Sequence, residues 1–181
     1  YSGADVGNCS VTDQSSATGN IVAKTLTATA STANKTYDGT TTATTTLTFS
    51  GLVGSETLGQ TVGSTFNNKN VGTGKTVTVN SITLADGTGL AANYSISPGQ
   101  TTTADITAKS LTVSGITASN KTYDATTTAT LNTGSVTYTG LVSGDVFNGT
   151  YTGAFSDKNV GTGKTVTVSY THLTLPTTGS V

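Results

Sequence analysis

The sequence predicts an all-β protein made of tandem, small β-sandwich repeats, and three observations support this prediction. Apolar residues alternate with threonine over short runs, which is the pattern of a half-buried strand. About a quarter of the residues are threonine, whose β-branched side chain suits a pleated surface, and no long segment has the apolar spacing of an amphipathic helix. Several motifs also return in the same order after 85 to 89 residues.

Three pairs of motifs define the repeat. They are AKTLT at 23–27 with AKSLT at 108–112, NKTYDGTTTAT at 34–44 with NKTYDATTTAT at 120–130, and KNVGTGKTVTV at 69–79 with the identical run at 158–168. The separations are 85, 86 and 89 residues, so three extra residues must lie between the last two markers of the second copy. We place them at 131–135 (LNTGS), a glycine-containing stretch that is typical of a longer loop.

This spacing divides the chain into four parts. We predict the end of a preceding repeat at 1–23, a complete repeat at 24–108, an incomplete repeat at 109–169, and a tail at 170–181 that we interpret as not native. The chain begins with Tyr1 instead of Met, and we interpret it as a piece of a longer protein. Its LPTTG at 175–179 resembles the sortase signal L-P-x-T-G but lacks the apolar span and basic tail of a working signal, so the anchoring route stays open.

Within one repeat, the strands are predicted in order from their alternation. Leu26 opens the first strand, Leu47 and Phe49 mark the next before a Gly-Leu-Val-Gly turn, and Val77 and Val79 mark a later one. Ile82 and Leu84 continue this last strand with shifted parity, which predicts a bulge or bend at Asn80-Ser81. The last strands carry Tyr94 with Ile96 and Ala104 with Ile106, and 89–93 can form at most one helical turn.

Six or seven short strands in each repeat favour a sandwich of the immunoglobulin-like kind. Tyr94 follows a short glycine-rich corner, as the tyrosine corner of such domains does. A β-grasp-like module is the alternative. Because the last strand of one repeat is followed almost directly by the first strand of the next, we expect the repeats to form an extended rod.

The Gly-Lys-Thr of KNVGTGKTVTV suggests a phosphate-binding loop, but its context does not match. Lys69 and Lys158 stand where such a loop needs its first glycine, and a strand pattern follows instead of a helix. We interpret the run as a β-hairpin in which Gly-Thr-Gly supplies positive φ. No cofactor-binding residue is predicted.

Metal and catalytic sites are equally poorly supported. Asp38 and Asp124 could be calcium ligands, but each lacks an acidic neighbour, and an Asx-turn beside a packed tyrosine is the simpler interpretation. His172 and Glu56 are the single residues of their types, and neither recurs between repeats. The single cysteine, Cys9, aligns with Tyr94 and is expected to be a buried apolar side chain. We predict no catalytic and no metal-binding residue, and no enzyme.

Charge and hydropathy restrict the partners. The chain has eight Lys, no Arg and a net charge of −1, so it lacks the basic face that nucleic-acid binding requires. It also has no apolar run long enough to span a bilayer. The expected partners are the neighbouring repeats of the same chain and, in one interpretation, a host glycan or surface protein.

TYDGT at 36–40, the KNVGTGKTVTV hairpin and ANYSI at 92–96 together resemble YDG-type repeats, which are related to the MBG repeats of large bacterial surface proteins such as filamentous-haemagglutinin-like adhesins. Ala125 replaces the glycine of the YDG motif in the second copy, and Cys9 stands at the position of the corner tyrosine. The resemblance implies secretion to the cell surface and a role in a tandem array. It implies no catalytic residue and leaves the ligand open.

The expected function is therefore structural: a stalk or spacer that holds the binding region of an adhesin away from the cell. The alternative is a binding module, in which Tyr138 and Tyr151 stack on a glycan or contact a host protein. Tyr138 aligns with Phe49 on a strand, so inward packing of both rings is the simpler expectation.

Overall fold

The computed structural model describes residues 6–8, 10 and 16–172. Short 3-10 turns lie at Val6–Asn8 and Ala91–Asn93. The strands described are β1 (Lys24–Thr25), β2 (Thr27–Thr32), β3 (Lys35–Thr36), β4 (Thr42–Ala43), β5 (Thr45–Ser50), β6 (Leu58–Phe66), β7 (Gly72–Asp86), β8 (Tyr94–Ser95), β9 (Thr101–Thr107), β10 (Thr112–Ser114), β11 (Thr117–Ala118), β12 (Thr128–Ala129), β13 (Leu131–Asn132), β14 (Thr137–Thr139), β15 (Gly149–Phe155) and β16 (Val166–His172). The protein is therefore all-β with several sheets, as predicted, and the single helical turn expected at 89–93 is present.

The first repeat contains three groups of paired strands. A five-stranded sheet has the order β3-β9-β7-β6-β4, β2 pairs with β5 in an antiparallel ladder, and β1 pairs with β8 in parallel. In the five-stranded sheet only the short β3–β9 pair is parallel. The chain leaves this sheet after β4 and enters the β2–β5 ladder at β5, so one extended segment serves both sheets.

The core of the first repeat lies on one face of the five-stranded sheet. Its buried cluster consists of Ala43, Phe66, Val77, Ala104 and Ile106. These residues come from β4, β6, β7 and β9. Because successive side chains of a strand point to opposite faces of the sheet, the alternation in the sequence places all five residues on one face. Val77 and Ile106 are at most 1% exposed, so β9 closes this core.

Polar side chains connect the two larger sheets of the first repeat. The side chain of Gln60 on β6 makes two bonds to Leu47 of β5: its amide nitrogen donates to the carbonyl at 2.7 Å, and its oxygen accepts from the backbone amide at 3.0 Å. The buried Ser64 hydroxyl donates to the Ala43 carbonyl at 3.0 Å and bonds the Thr45 hydroxyl at 2.7 Å. The side chains of Gln60 and Ser64 therefore have the partners that burial between these strands requires.

The predicted bulge in the long strand β7 is confirmed. Gly63 pairs with Ser81 and Ser64 pairs with Val79, so Asn80 is the extra residue. The Asn80 side-chain amide donates to the Thr65 hydroxyl at 2.9 Å, which holds it on the exposed side. The shift of apolar parity in the sequence arises because this inserted residue reverses the faces of all later side chains.

The second repeat divides the ladder that is continuous in the first. β10 pairs with β14 and β11 pairs with β13, both antiparallel, while β12, β15 and β16 form a three-stranded sheet. The break contains Gly115 on one strand. On the other strand it contains a turn, in which the Val136 amide donates a hydrogen bond to the Thr133 carbonyl at 3.2 Å. The longer loop predicted at 131–135 is therefore present in part: it lies at 133–136 as an interruption within a β-hairpin, whereas Leu131–Asn132 form the strand β13.

The second repeat also has a more open core. Phe155 and Val166 are the counterparts of Phe66 and Val77, yet both are only half-buried. Within the described residues, no strand lies beside β16 where β9 lies beside β7. A surface groove of about 750 Å³ occupies this position. None of the helical segments in 6–8, 10 and 16–172 has the length and apolar character needed to cross a membrane.

Candidate functional site: the Tyr-Asp turn and the contact between repeats

The first Tyr-Asp-Gly motif forms a tight turn between β3 and β4. Asp38 Oδ1 accepts hydrogen bonds from the Thr40 amide and the Thr40 hydroxyl, both at 2.9 Å. This is the Asx-turn predicted from the sequence. Gly39 has a φ of 79°, a left-handed conformation that glycine adopts without a steric penalty.

A lysine completes this turn. Lys35 Nζ forms an ion pair with Asp38 Oδ1 at 2.8 Å and donates to the carbonyls of Thr40 and Thr42, both at 3.0 Å. The same ammonium group lies 5.7 Å from the centre of the Phe66 ring. The turn is therefore a small network that holds a lysine over the edge of the core.

The second copy reproduces the network in detail. Lys121 Nζ pairs with Asp124 Oδ1 at 2.7 Å, contacts the carbonyls of Thr126 and Thr128, and lies 5.7 Å from the Phe155 ring. This second network lacks a covering β9 counterpart among the described residues, so the turn is determined mainly by its own local sequence.

The electrostatics of both aspartates follow from these bonds. Hydrogen bonding from Lys35, followed by the bond from the Thr40 amide, lowers the pKa of Asp38 from 3.8 to about 2. Lys121 and Thr126 lower the pKa of Asp124 to about 2 in the same way. Across the described part of the chain, no group of three or more His, Cys, Asp or Glu side chains is arranged to hold a metal ion.

The KNVGTGKTVTV run forms a β-hairpin in the first repeat, as predicted. β6 and β7 are its antiparallel arms, and Asn68 Oδ1 accepts from the Asn70 amide at 3.0 Å and from Lys75 Nζ at 2.5 Å within the connecting loop. The position of the glycines differs from the expectation. Gly-Thr-Gly lies inside β7, where the register with β9 shifts, and not at the tip of the hairpin.

Gly74 has a φ of 59°, and its amide donates to Asp105 Oδ1 at 2.8 Å. The glycine therefore permits a bulge that connects β7 to β9 through this carboxylate. Gly163 has a φ of 64° in the second copy. A strand follows in both repeats, so neither glycine lies at a helix N-terminus, which a phosphate-binding loop requires.

The two repeats contact each other at the first Tyr-Asp turn. The Tyr37 hydroxyl donates to Asp145 Oδ1 at 3.2 Å, and Lys69 Nζ lies 3.9 Å from the same oxygen. A Cβ atom placed on Gly39 would lie 2.9 Å from Val142 Cγ1, so the glycine permits close packing of that valine. Burial and the bond to Asp145 raise the pKa of Tyr37.

This contact between the repeats was not predicted from the sequence. Its signal is present nevertheless: Glu56 and Asp145 are acids at the same position of the Gly-Leu-Val turn, 89 residues apart. A repeated acid in a loop with little other charge points to a specific partner. The sequence alone could not show that the partner is the turn of the preceding repeat.

Tyr138 and Tyr151 lie together on the second repeat. Their hydroxyl oxygens are 2.7 Å apart, and the Tyr138 ring packs against Phe147 with centroids 5.2 Å apart. Both tyrosines are half-buried, and the hydrogen bond between the two hydroxyls raises the pKa of Tyr151 to about 12. A role in ligand binding stays a prediction.

Tyr94 is 7% exposed and belongs to a different kind of corner than the one suggested by the sequence. Its hydroxyl accepts from the Val53 amide at 3.1 Å and donates to the Glu56 carboxylate. These partners lie 41 and 38 residues earlier, whereas a tyrosine corner bonds backbone a few residues upstream. Cys9 and the LPTTG at 175–179 lie outside the described residues.

Comparison with known proteins agrees with the repeat structure. The family described as YDG domain matches residues 22–104 and again 107–180. No curated protein and no solved structure matches the chain. The two matches cover most of the sequence and contain both Tyr-Asp turns and both hairpins, so the chain belongs to the YDG domain family, of which it carries two tandem copies.

Proposed function

We propose that this chain is part of the stalk of a secreted bacterial surface adhesin. In this proposal the YDG repeats are small, immunoglobulin-like β-sandwiches arranged end to end, and they hold a binding region away from the cell. The main support is the contact between repeats, in which Asp145 of the second repeat meets Tyr37 and Lys69 of the first. A spacer needs such a contact because a free linker alone would let the repeats bend.

Two further features suit a spacer. Only four residues separate β9 from β10, so the connection between the repeats is short. Charged residues make up 9% of the chain, and threonine covers much of the exposed strand surface, which keeps the repeats hydrated without a strong electrostatic field.

Two measurements test the stalk proposal. Small-angle scattering of the chain should give an elongated particle, with a maximum dimension close to the summed lengths of two repeats. Protease treatment of intact cells that produce the parent protein should remove the repeats from the cell surface. A compact particle, or repeats that are protected inside the cell, would contradict the proposal.

A second candidate function is ligand binding by the repeats themselves. The observation in its favour is the cluster of Tyr138, Phe147 and Tyr151, whose counterparts in the first repeat are Phe49, Leu58 and Val62. Half-buried aromatic rings with a polar edge can stack on a sugar face. Glycan-array binding that is lost in Tyr138→Ser and kept in the matched Phe49→Ser would support this function, whereas no binding by the unmodified chain would exclude it for the glycans tested.

A further inference from the structure

We propose that the contact between these two repeats is a recurring joint, and that each YDG repeat has one half of it at each end. The receiving face is formed by Tyr37, Gly39 and Lys69 in the first repeat. The inserting loop is the Gly-Leu-Val turn and its acid, at 51–56 in the first repeat and 140–145 in the second. The inference rests on the proposed stalk function, since it names the neighbour that each repeat meets: another copy of the same repeat.

Both halves recur in the sequence, although the structure shows them joined once. Tyr123 and Lys158 correspond to Tyr37 and Lys69, and they place a second receiving face at the far end of the second repeat. Val53 and Glu56 correspond to Val142 and Asp145, and they place a second inserting loop at the near end of the first repeat. The described part of the chain therefore has one occupied joint and two unoccupied halves.

Exposure differs between the occupied and the unoccupied inserting loop as a joint requires. Val142, which lies in the contact, is half-buried, whereas its counterpart Val53 is 54% exposed. On the receiving side, Tyr37 also packs against the core of its own repeat, and its counterpart Tyr123 is 57% exposed in a repeat whose core is more open. The valine of the inserting loop is therefore the residue whose exposure distinguishes the occupied from the unoccupied half.

The inserting loop of the first repeat lies beside other exposed apolar residues. Ile21 and Val22 are at least 83% exposed, and with Val53 and Glu56 they line a surface cavity of about 450 Å³. Glu56 already accepts a bond from Tyr94, but a carboxylate has several lone pairs and can accept a second donor. The receiving tyrosine and lysine of another repeat supply such donors.

The chemistry of the joint makes it directional. The acid accepts from a tyrosine hydroxyl and faces a lysine, while the valine packs against a glycine that has no side chain. Because the two surfaces differ, the contact is heterologous and can propagate from repeat to repeat in one direction. Repeats joined in this way do not form an isologous dimer, because the same surface is not used on both sides of the contact.

The residue at the glycine position of the Tyr-Asp-Gly motif should then determine how closely the two halves of the joint pack. Val142 packs where a methyl group on Gly39 would lie, and the second repeat has Ala125 at this position. We expect the valine of a following repeat to sit less closely on Ala125 than Val142 sits on Gly39. Repeats with glycine in this motif would form the closer joints of an array, and repeats with alanine the looser ones.

The joint is tested first inside the chain as it exists, by electron-spin distance measurements. Spin labels are placed at the exposed counterparts Thr48→Cys and Thr137→Cys, with Cys9→Ser to remove the native thiol. We expect a narrow distance distribution that broadens in Lys69→Glu and in Val142→Asp. The matched variants Lys158→Glu and Val53→Asp, which change the unoccupied halves, should leave it narrow.

A broad distribution of spin-label distances in the unmodified chain would overturn the joint. Equal broadening in the contact variants and in their matched variants at the unoccupied halves would overturn it as well. Circular dichroism of each variant separates a lost joint from a lost fold. The result is independent of the stalk proposal, which fails instead if the parent protein is not at the cell surface. A narrow distance distribution in a protein that is not at the cell surface would therefore support the joint and contradict the stalk function.

The unoccupied halves are tested by weak self-association of the full chain. Methyl resonances of Val53 and ring resonances of Tyr123 should shift together as the protein concentration rises toward the millimolar range, where contacts with dissociation constants of that order become visible. Glu56→Lys and Lys158→Glu should each abolish the shifts, and the double variant should restore them. Shifts at only one of the two surfaces, or shifts absent altogether, would contradict the assignment of these surfaces.

Discussion

Ala125 has a backbone conformation that side chains rarely adopt. Its φ is 63°, and it is the one non-glycine residue with positive φ in the described part of the chain. The turn keeps this conformation because Asp124 and Lys121 bind the surrounding backbone. The motif glycine is therefore favoured by the turn but not required for it.

Ala125→Gly should stabilise the second repeat by about 0.5–1 kcal/mol. Relief of left-handed strain contributes about 1–2 kcal/mol, and the greater freedom of glycine in the unfolded chain offsets part of it. Denaturant unfolding followed at β15 and β16 measures the change. Ala118→Gly, at a strand position with ordinary φ, is the control and should destabilise; stabilisation in both variants would contradict the explanation.

The two turn aspartates should make stability depend on pH in the acid range. Their pKa is about 2 in the folded protein and 3.8 in the absence of these bonds, so their contribution is complete above about pH 4 and is lost between about pH 4 and 2. In the double variant with Asp38→Asn and Asp124→Asn, each amide oxygen still accepts the hydrogen bonds of its turn, but neither side chain titrates.

The free energy of unfolding should therefore fall less steeply between pH 4 and 2 in this double variant than in the unmodified chain. Denaturant titrations at both ends of this range give the comparison, and carboxyl-carbon NMR gives each pKa directly. Equal pH dependence in the two proteins would show that these turns do not contribute to acid unfolding.

At the scale of the elements, the insertion in the second repeat shows how a hairpin accommodates extra residues. Gly115 has a φ of 81°, and a Cβ on it would clash with the Ser135 carbonyl oxygen. The inserted turn of one strand thus lies directly against the other strand. The step in repeat spacing from 85 to 86 residues corresponds to one extra residue in the segment that separates β10 from β11.

Gly115→Ala should destabilise the second repeat by more than about 1 kcal/mol, because both the positive φ and the close carbonyl oppose a side chain. Hydrogen exchange at β10 and β14 should quicken, while β2 and β5 of the first repeat serve as the internal reference. Gly134→Ala is the matched control, since its Cβ would meet nothing within 4 Å. An equal loss in both variants would contradict the steric argument.

Because β9 completes the core of the first repeat only, a core valine should contribute more to the free energy of unfolding in the first repeat than in the second. Val77 is fully buried in one cluster with Ala104 and Ile106, whereas Val166 is half-buried and lines the groove. Val77→Ala should cost about 2 kcal/mol from lost burial and the cavity that remains. Val166→Ala should cost clearly less, and a reversed order in denaturant unfolding would contradict the described packing.

At the scale of the whole molecule, the first repeat should fold without the second. Residues 22–108 contain the five-stranded sheet, the β2–β5 ladder and the closed core. We expect a cooperative thermal transition for this segment alone, because all strands that bury its apolar residues are present. A broad, non-cooperative melt in calorimetry would show that the contact with the second repeat is needed for folding.

The sequence by itself determined the local structure of this protein. Alternation placed the strands, the parity change located the bulge at Asn80, and Asp38 and Asp124 formed the turns expected of them, because each depends on residues near one another in the chain. The stalk function, and ligand binding by Tyr138 and Tyr151, stay predictions.

The tertiary structure decided what lies between distant residues. It located Gly-Thr-Gly inside β7, joined Tyr94 to the loop at 51–56, and brought Asp145 to Tyr37 and Lys69. None of these pairings follows from periodicity, since a repeat pattern states which residues are equivalent but not which of them meet. Contacts between repeats depend on the relative placement of two folded surfaces, and only the three-dimensional arrangement supplies it.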